Sequence, residues 1–128
     1  MSVFQWISLT AMLVALLQPL GAVSAFAQST PATGDVQIML GDGAGGAVGG
    51  ACYSVTDANG NSRSVCDDDG DGTAYISALP PGSVSITETS GPGGYYIAAP
   101  GNGTVVENGV ATVTMTSYVI PVAPAKAQ

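Results

Sequence analysis

Short runs in which apolar and polar residues alternate fill most of the chain, and glycine- and proline-rich turns separate them. Alternation at period two marks a strand with one buried and one solvated face. In a first strand, Asp35 to Leu40, the residues Val36, Ile38 and Leu40 share a face. In a second, Ala51 to Asp57, Ala51, Tyr53 and Val55 do the same, and Asn61 to Cys66 returns beside it. Ala58-Asn59-Gly60 reads as a three-residue hairpin loop between those two, with Gly60 in the left-handed position. Thr73 to Leu79 turns Ala74, Ile76 and Leu79 inward. Pro80-Pro81-Gly82 then delivers a strand with Val84, Ile86 and Glu88 on one side and Ser83, Ser85, Thr87 and Thr89 on the other. Tyr95 to Ala99 reads as a short strand stopped by Pro100-Gly101-Asn102-Gly103. Thr104 to Glu107 and Val110 to Tyr118 read as a last hairpin around Asn108-Gly109, with Ala111, Val113 and Met115 inside and Thr112, Thr114 and Thr116 outside. No helical period appears after residue 27, and strands at this spacing predict an all-β sandwich of antiparallel strands.

Residues 1–27 stand apart from that pattern. Val3 to Val23 is an apolar run ending in Ala25-Phe26-Ala27, a small-residue cleavage site, and reads as a secretory signal peptide. Gln5, Ser8, Gln18 and Pro19 interrupt the run, whereas a membrane anchor needs about 20 consecutive apolar residues. Cleavage after Ala27 leaves a flexible lead-in at 28–34, one small domain at 35–118 and a Pro/Ala-rich tail at 119–128. No membrane span remains in that product, and its expected destination is the extracellular space or the cell surface.

Without the leader the chain has neither Trp nor Phe, so its core must come from aliphatic residues, Met and five Tyr. Seven Asp and two Glu stand against Arg63 and Lys126, a net charge of −7. A nucleic-acid partner is excluded, because nothing could neutralise its phosphates. The chain holds no His, which removes the Ser-His and Cys-His nucleophile pairs and the commonest metal ligand. Glu88 and Glu107, the only Glu, fall on different strands and make no glycosidase pair. The reading is a non-enzymatic protein without a resident cofactor.

Three features carry candidate chemistry. Pairing Asp57 with Asn61 across the hairpin sets Tyr53 opposite Val65 and Cys52 opposite Cys66, and directly opposed strand positions lie close enough for a disulfide. Asp67-x-Asp69-x-Asp71-Gly72 has the opening spacing of a calcium loop, with the Thr73 carbonyl as a further ligand. Its twelfth position is Ala78 where that loop needs a bidentate Glu, so the expected site is weak and a solvated turn is the alternative. Glu88 occupies the apolar side of its strand. Either the strand ends near Thr87 and leaves the carboxyl in water, or the carboxyl is buried and hydrogen-bonded. Gly41, Gly43 and Gly46 fit a dinucleotide-loop spacing, but the following Ala47-Val48-Gly49-Gly50 cannot start the required helix, and the stretch reads as a flexible connection.

In order, Gly50-Ala51-Cys52-Tyr53-Ser54-Val55, Asp69-Gly70-Asp71-Gly72, Leu79-Pro80-Pro81-Gly82, Glu88 and Pro92-Gly93-Gly94-Tyr95 resemble the Cna B-type, or SpaA-like prealbumin-like, domain of bacterial surface proteins, pili and adhesins. The resemblance implies a seven-stranded, transthyretin-like sandwich with a structural or adhesive role at the cell surface or in the extracellular matrix. Its partner would be a surface or matrix protein or polymer that the residues do not identify. A small calcium-dependent extracellular binding module is the alternative. Many such domains join a Lys of the first strand to an Asn or Asp of the last, assisted by a buried Glu, and Glu88 matches that Glu. Residues 35–40 hold no Lys and residues 110–118 hold no Asn or Asp, so the resemblance implies no such isopeptide bond here.

Overall fold

The structure is a computed structural model, and it describes residues 30–123. The signal peptide expected at 1–27 and the end of the tail, Lys126 included, lie outside the described residues. Seven strands follow in order: β1 (Gly34–Gly41), β2 (Cys52–Thr56), β3 (Ser62–Cys66), β4 (Thr73–Leu79), β5 (Gly82–Ser90), β6 (Gly101–Val105) and β7 (Val110–Thr116). They form a three-stranded sheet in the order β4-β1-β7 and a four-stranded sheet in the order β3-β2-β5-β6. Among the described residues no helix is long and apolar enough to cross a membrane.

The alternation read from the sequence is the alternation of burial. Val36, Ile38 and Leu40 of β1, Tyr53 and Val55 of β2, Val84 and Ile86 of β5, and Val113 and Met115 of β7 all enter one core. The hairpin from β2 to β3 has the expected register, with Cys52 facing Cys66 and Tyr53 facing Val65. Gly60 takes a left-handed φ of 84°, and the Asp57 N–H donates to the Asn61 carbonyl at 2.9 Å.

The inward set of β4 breaks strict alternation, since Ile76 and Leu79 are three apart. A bulge resolves this: Ala78 adopts a left-handed φ of 59°, and the β1–β4 register shifts between Gly34/Leu79 and Val36/Ile76. The extra residue returns Leu79 to the core at 1 % exposure. Asp35 clamps the bulge, with one carboxylate oxygen accepting the Ala78 N–H at 3.1 Å and the other the Tyr75 hydroxyl at 2.5 Å.

The structure corrects four expectations. First, the sandwich is not wholly antiparallel, because β7 pairs in parallel with β1 from Asp35/Val110 to Gly41/Thr116. Second, Asn108-Gly109 does not close a hairpin, since β6 pairs with β5 and β7 with β1. The turn is captured by the beginning of the domain: the Asn108 N–H donates to the Thr33 carbonyl, and the Asp35 N–H donates to the Gly109 carbonyl, both at 2.9 Å. Those bonds deliver β7 to β1. Third, the strand before the turn is Gly101–Val105, not 104–107, so the expected glycine stop is part of a strand. A Cβ at Gly103 would lie 2.7 Å from the Val113 side chain and one at Gly101 would lie 2.9 Å from it, so glycine lets β6 approach β7 closely. Fourth, Tyr95 to Ala99 is not a strand and makes only an isolated antiparallel bridge, Tyr95 to Val119. The glycine-rich connection is also held more firmly than expected. Val48 is 2 % exposed and donates to the Leu40 carbonyl, and Asp42 accepts the Ala44 and Gly46 N–H groups.

Candidate functional site

The registers bring Gly41, Thr73 and Thr116 to one end of the smaller sheet and Cys52, Cys66 and Ser90 to one end of the larger. The acidic loop lies between β3 and β4, flanked by Cys66 and Thr73 at the strand ends, with Cys52 at the start of β2 and Glu88 two residues from the end of β5.

Cys52 and Cys66 form a disulfide with 4.0 Å between their Cα atoms, across directly opposed positions of β2 and β3. The next residue, Asp67, is 4 % exposed and is the hub of the acidic loop. One of its oxygens accepts the Gly50 N–H at 3.0 Å and the Gly72 N–H at 2.8 Å, and the other accepts the Gly70 N–H at 2.9 Å. The Asp67 N–H itself donates to the Ala51 carbonyl at 2.9 Å. One carboxylate thus ties the start of β2, the end of β3 and the turn into β4 together. Burial raises its pKa, but the Gly50 and Gly72 amides, the Asp69 side chain and the Gly70 amide outweigh burial, and the carboxyl sits below its ordinary value. Its contact with Asp67 moves Asp69 the other way, above its ordinary value.

Asp67, Asp69 and Asp71 each place an oxygen within 4.8 Å of the others, while Thr73 donates its N–H to Asp71 at 2.7 Å. The geometry of three of the four expected calcium ligands therefore converges, and the chemistry of the fourth is not tested by it. The loop is already organised by amide donors, so a cation would share Asp67 with three N–H groups. Arg63 is turned away from the loop and donates to the Ser77 carbonyl at 2.5 Å, joining the edges of the two sheets.

Glu88 lies within β5, directly opposite Tyr53 of β2, and is 3 % exposed. Its strand continues to Ser90, which disposes of an end near Thr87. Oε2 accepts the Ala98 N–H at 2.5 Å, and Oε1 is buried with no hydrogen-bond partner among the described residues. A Cβ at Gly91 would lie 2.5 Å from Oε1, so glycine there makes room for the carboxyl. Burial, then the charges of Glu88 and Asp67, push the Tyr53 hydroxyl up to about 12. The core-facing residues of β1 and β7 are aliphatic or Met, so the core offers Glu88 no amine and no carboxamide from those strands.

The end of the expected last strand, Ser117 and Tyr118, and Ile120 at the start of the Pro/Ala-rich tail contribute to this end as well. The Tyr96 N–H donates to the Tyr118 carbonyl and the Ile120 N–H donates to the Gly94 carbonyl, both at 2.8 Å. Ser117, 1 % exposed, donates its hydroxyl to the Tyr96 carbonyl. These bonds fix the segment that carries Ala98 and hence the cover over Glu88. They also set Tyr96 opposite Tyr118, an arrangement that sequence reasoning missed, because two irregular segments carry it and neither shows alternation.

The SpaA prealbumin-like fold domain matches residues 34–119. No curated protein sequence matches the chain significantly. Among solved structures, the TIE protein of Bacillus anthracis superposes with a TM-score of 0.62 at 23 % identity, over 70 % of this chain and 17 % of that one. The minor pilin GBS52 of Streptococcus agalactiae gives 0.58 at 20 % identity, over 76 % of this chain and 49 % of that one. The pilus adhesin RrgA of Streptococcus pneumoniae gives 0.50 at 29 % identity, over 64 % and 10 %. The chain therefore spans less than half the length of each of these proteins. With the family matched over the whole sandwich, the chain belongs to the SpaA-type prealbumin-like fold domains.

Proposed function

We propose that this chain is a secreted, non-enzymatic sandwich module with a structural or adhesive role at the cell surface or in the extracellular matrix, released after loss of residues 1–27. The observation that carries the reading is the family itself, whose similar structures include a minor pilin and a pilus adhesin. The chemistry at the described sites supports it: the core-facing residues of β1 and β7 offer Glu88 no amine or carboxamide, and Asp67 of the acidic loop spends its carboxylate on the backbone. The partner is a surface or matrix protein or polymer. The test is protease shaving of intact producing cells, with immunodetection in the shaved, medium and cytosolic fractions. Recovery from the surface or the medium is expected, and retention in the cytosol overturns the reading.

Convergence of the Asp67, Asp69 and Asp71 oxygens favours a second reading, a weak calcium-dependent binding module. A cation ligated there would hold only at millimolar concentration without the bidentate Glu. A rise in melting temperature with millimolar calcium, lost in Asp69→Ala, is the result this second reading requires.

A further inference from the structure

Tyr118 walls an open groove of about 470 Å³ at the end of β7. Ile97 and Pro100 of the segment before β6 and Thr114, Met115 and Thr116 of β7 also line it. Among the described residues no carboxylate or cation lines the groove. The Tyr118 side chain is 63 % exposed, and Tyr96, its directly opposed partner across the Tyr95–Val119 bridge, is 54 % exposed. Of the two exposed rings, Tyr118 is the one that lines the groove. The Tyr118 ring also lies close to Gly43, where a Cβ would come within 2.9 Å of it. Two carboxylates border the groove without lining it: Asp42, the residue before Gly43, and Asp71, in the neighbouring pocket that shares Thr114, Met115 and Thr116. Between Glu88 and Lys126 the one charged residue is Glu107, in the turn bound to the Thr33 end of the sandwich, away from the groove.

We propose that this groove binds a neutral polysaccharide, with the apolar face of a sugar ring on Tyr118 and its hydroxyls on Thr114, Thr116 and the exposed backbone. The proposal rests on the adhesive reading above and names the class of polymer. An aromatic face beside a few placed hydroxyls is the chemistry that holds an amphipathic ring. Phosphorylated or carboxylated polymers would find no cation among the described lining residues, and cationic ones would go to the acidic loop at 67–71. A proline-rich peptide also stacks on aromatic rings. It carries few donors, however, and would leave the acceptor capacity of both threonines unused, whereas a sugar hydroxyl uses donor and acceptor alike.

The test is a titration of the purified mature chain with the tetrasaccharides of β-1,4-linked glucose and β-1,4-linked N-acetylglucosamine, and with a proline decapeptide. Binding is followed by tyrosine emission, which no tryptophan masks once the leader is gone. Saturable millimolar binding of at least one tetrasaccharide is expected. Tyr118→Ala should weaken it about tenfold or more, and Tyr75→Ala, on the outer face of the smaller sheet, should leave it unchanged. Thr116→Val removes a hydroxyl with little change of shape and should weaken binding with an unaltered melting curve. The proposal is overturned if neither tetrasaccharide saturates, if a folded Tyr118→Ala binds as the parent does, or if only the proline peptide binds. Because the titration uses purified protein, its outcome is independent of the shaving experiment that tests cellular location.

Discussion

Replacing Asp67 by Ala removes the acceptor of three backbone N–H groups at once. Hydrogen bonds to a charged group contribute about 1.5–3 kcal/mol each, and a buried donor left without a partner carries its full desolvation penalty. The Gly72 donor is in a buried bond, while the Gly50 and Gly70 bonds are part-buried and water can replace some of their worth. The expected loss is therefore about 3 kcal/mol rather than the sum of three full bonds. For a domain of this size that is a fall in melting temperature of roughly 12–24 °C. The acid limb adds a second signature. A carboxyl whose folded pKa is depressed stabilises above its unfolded value, near 4, and that contribution is lost as pH falls through the lower folded value. Urea melts of the parent from pH 6 downward should lose stability in that window. Asp67→Ala should begin lower and lose less, and Asp68→Ala, an exposed neighbour, should track the parent. A loss under about 1 kcal/mol, or an acid limb as steep in the variant as in the parent, would refute the hub assigned to Asp67.

Replacing both Cys52 and Cys66 by Ser opens a loop of about 15 residues. On chain entropy this should cost about 3 kcal/mol, read as a lower melting temperature, and an unchanged melt rejects it. Ala78→Gly should stabilise by about 0.5–1 kcal/mol in urea melts, because Ala pays for a left-handed φ that Gly adopts freely; a loss of stability would place the strain elsewhere. The intact mass of the mature protein should equal the chain from Gln28 less the two hydrogens of the disulfide, with one ammonia fewer where Gln28 has cyclised to pyroglutamate; a loss of ammonia or water that peptide mapping puts between two other residues would reveal a crosslink we do not expect.

The parts of this fold legible in the sequence are those whose causes are local. The β2–β3 register could be read because turn chemistry, alternation and the cysteine pair agree within fifteen residues. Parity with Val84 and Ile86 put Glu88 on the apolar side but left its burial open, and its partner was not legible because Ala98 lies on an irregular segment. Asn108-Gly109 misled for the opposite reason. Its local preference for a hairpin is outweighed by bonds to Thr33 and Asp35, some seventy residues earlier. Gly101 and Gly103 looked like a stop because a glycine required for close approach and a glycine required for a turn are written alike. The Tyr96–Tyr118 pairing left no periodic trace at all, since each partner contributes only a residue or two of bridge.

The parallel pairing of β1 with β7 has a mechanical consequence. The chain enters β1 at Gly34 and leaves β7 at Thr116, at opposite ends of two adjacent strands held in register over seven residue pairs. Tension applied between those two points runs along the strand axes, so the rungs of the ladder are loaded together in shear. An antiparallel first and last strand would bring both points to one end, and the same pull would peel the rungs apart one after another. Resistance to stretching is thus written into which way the last strand runs.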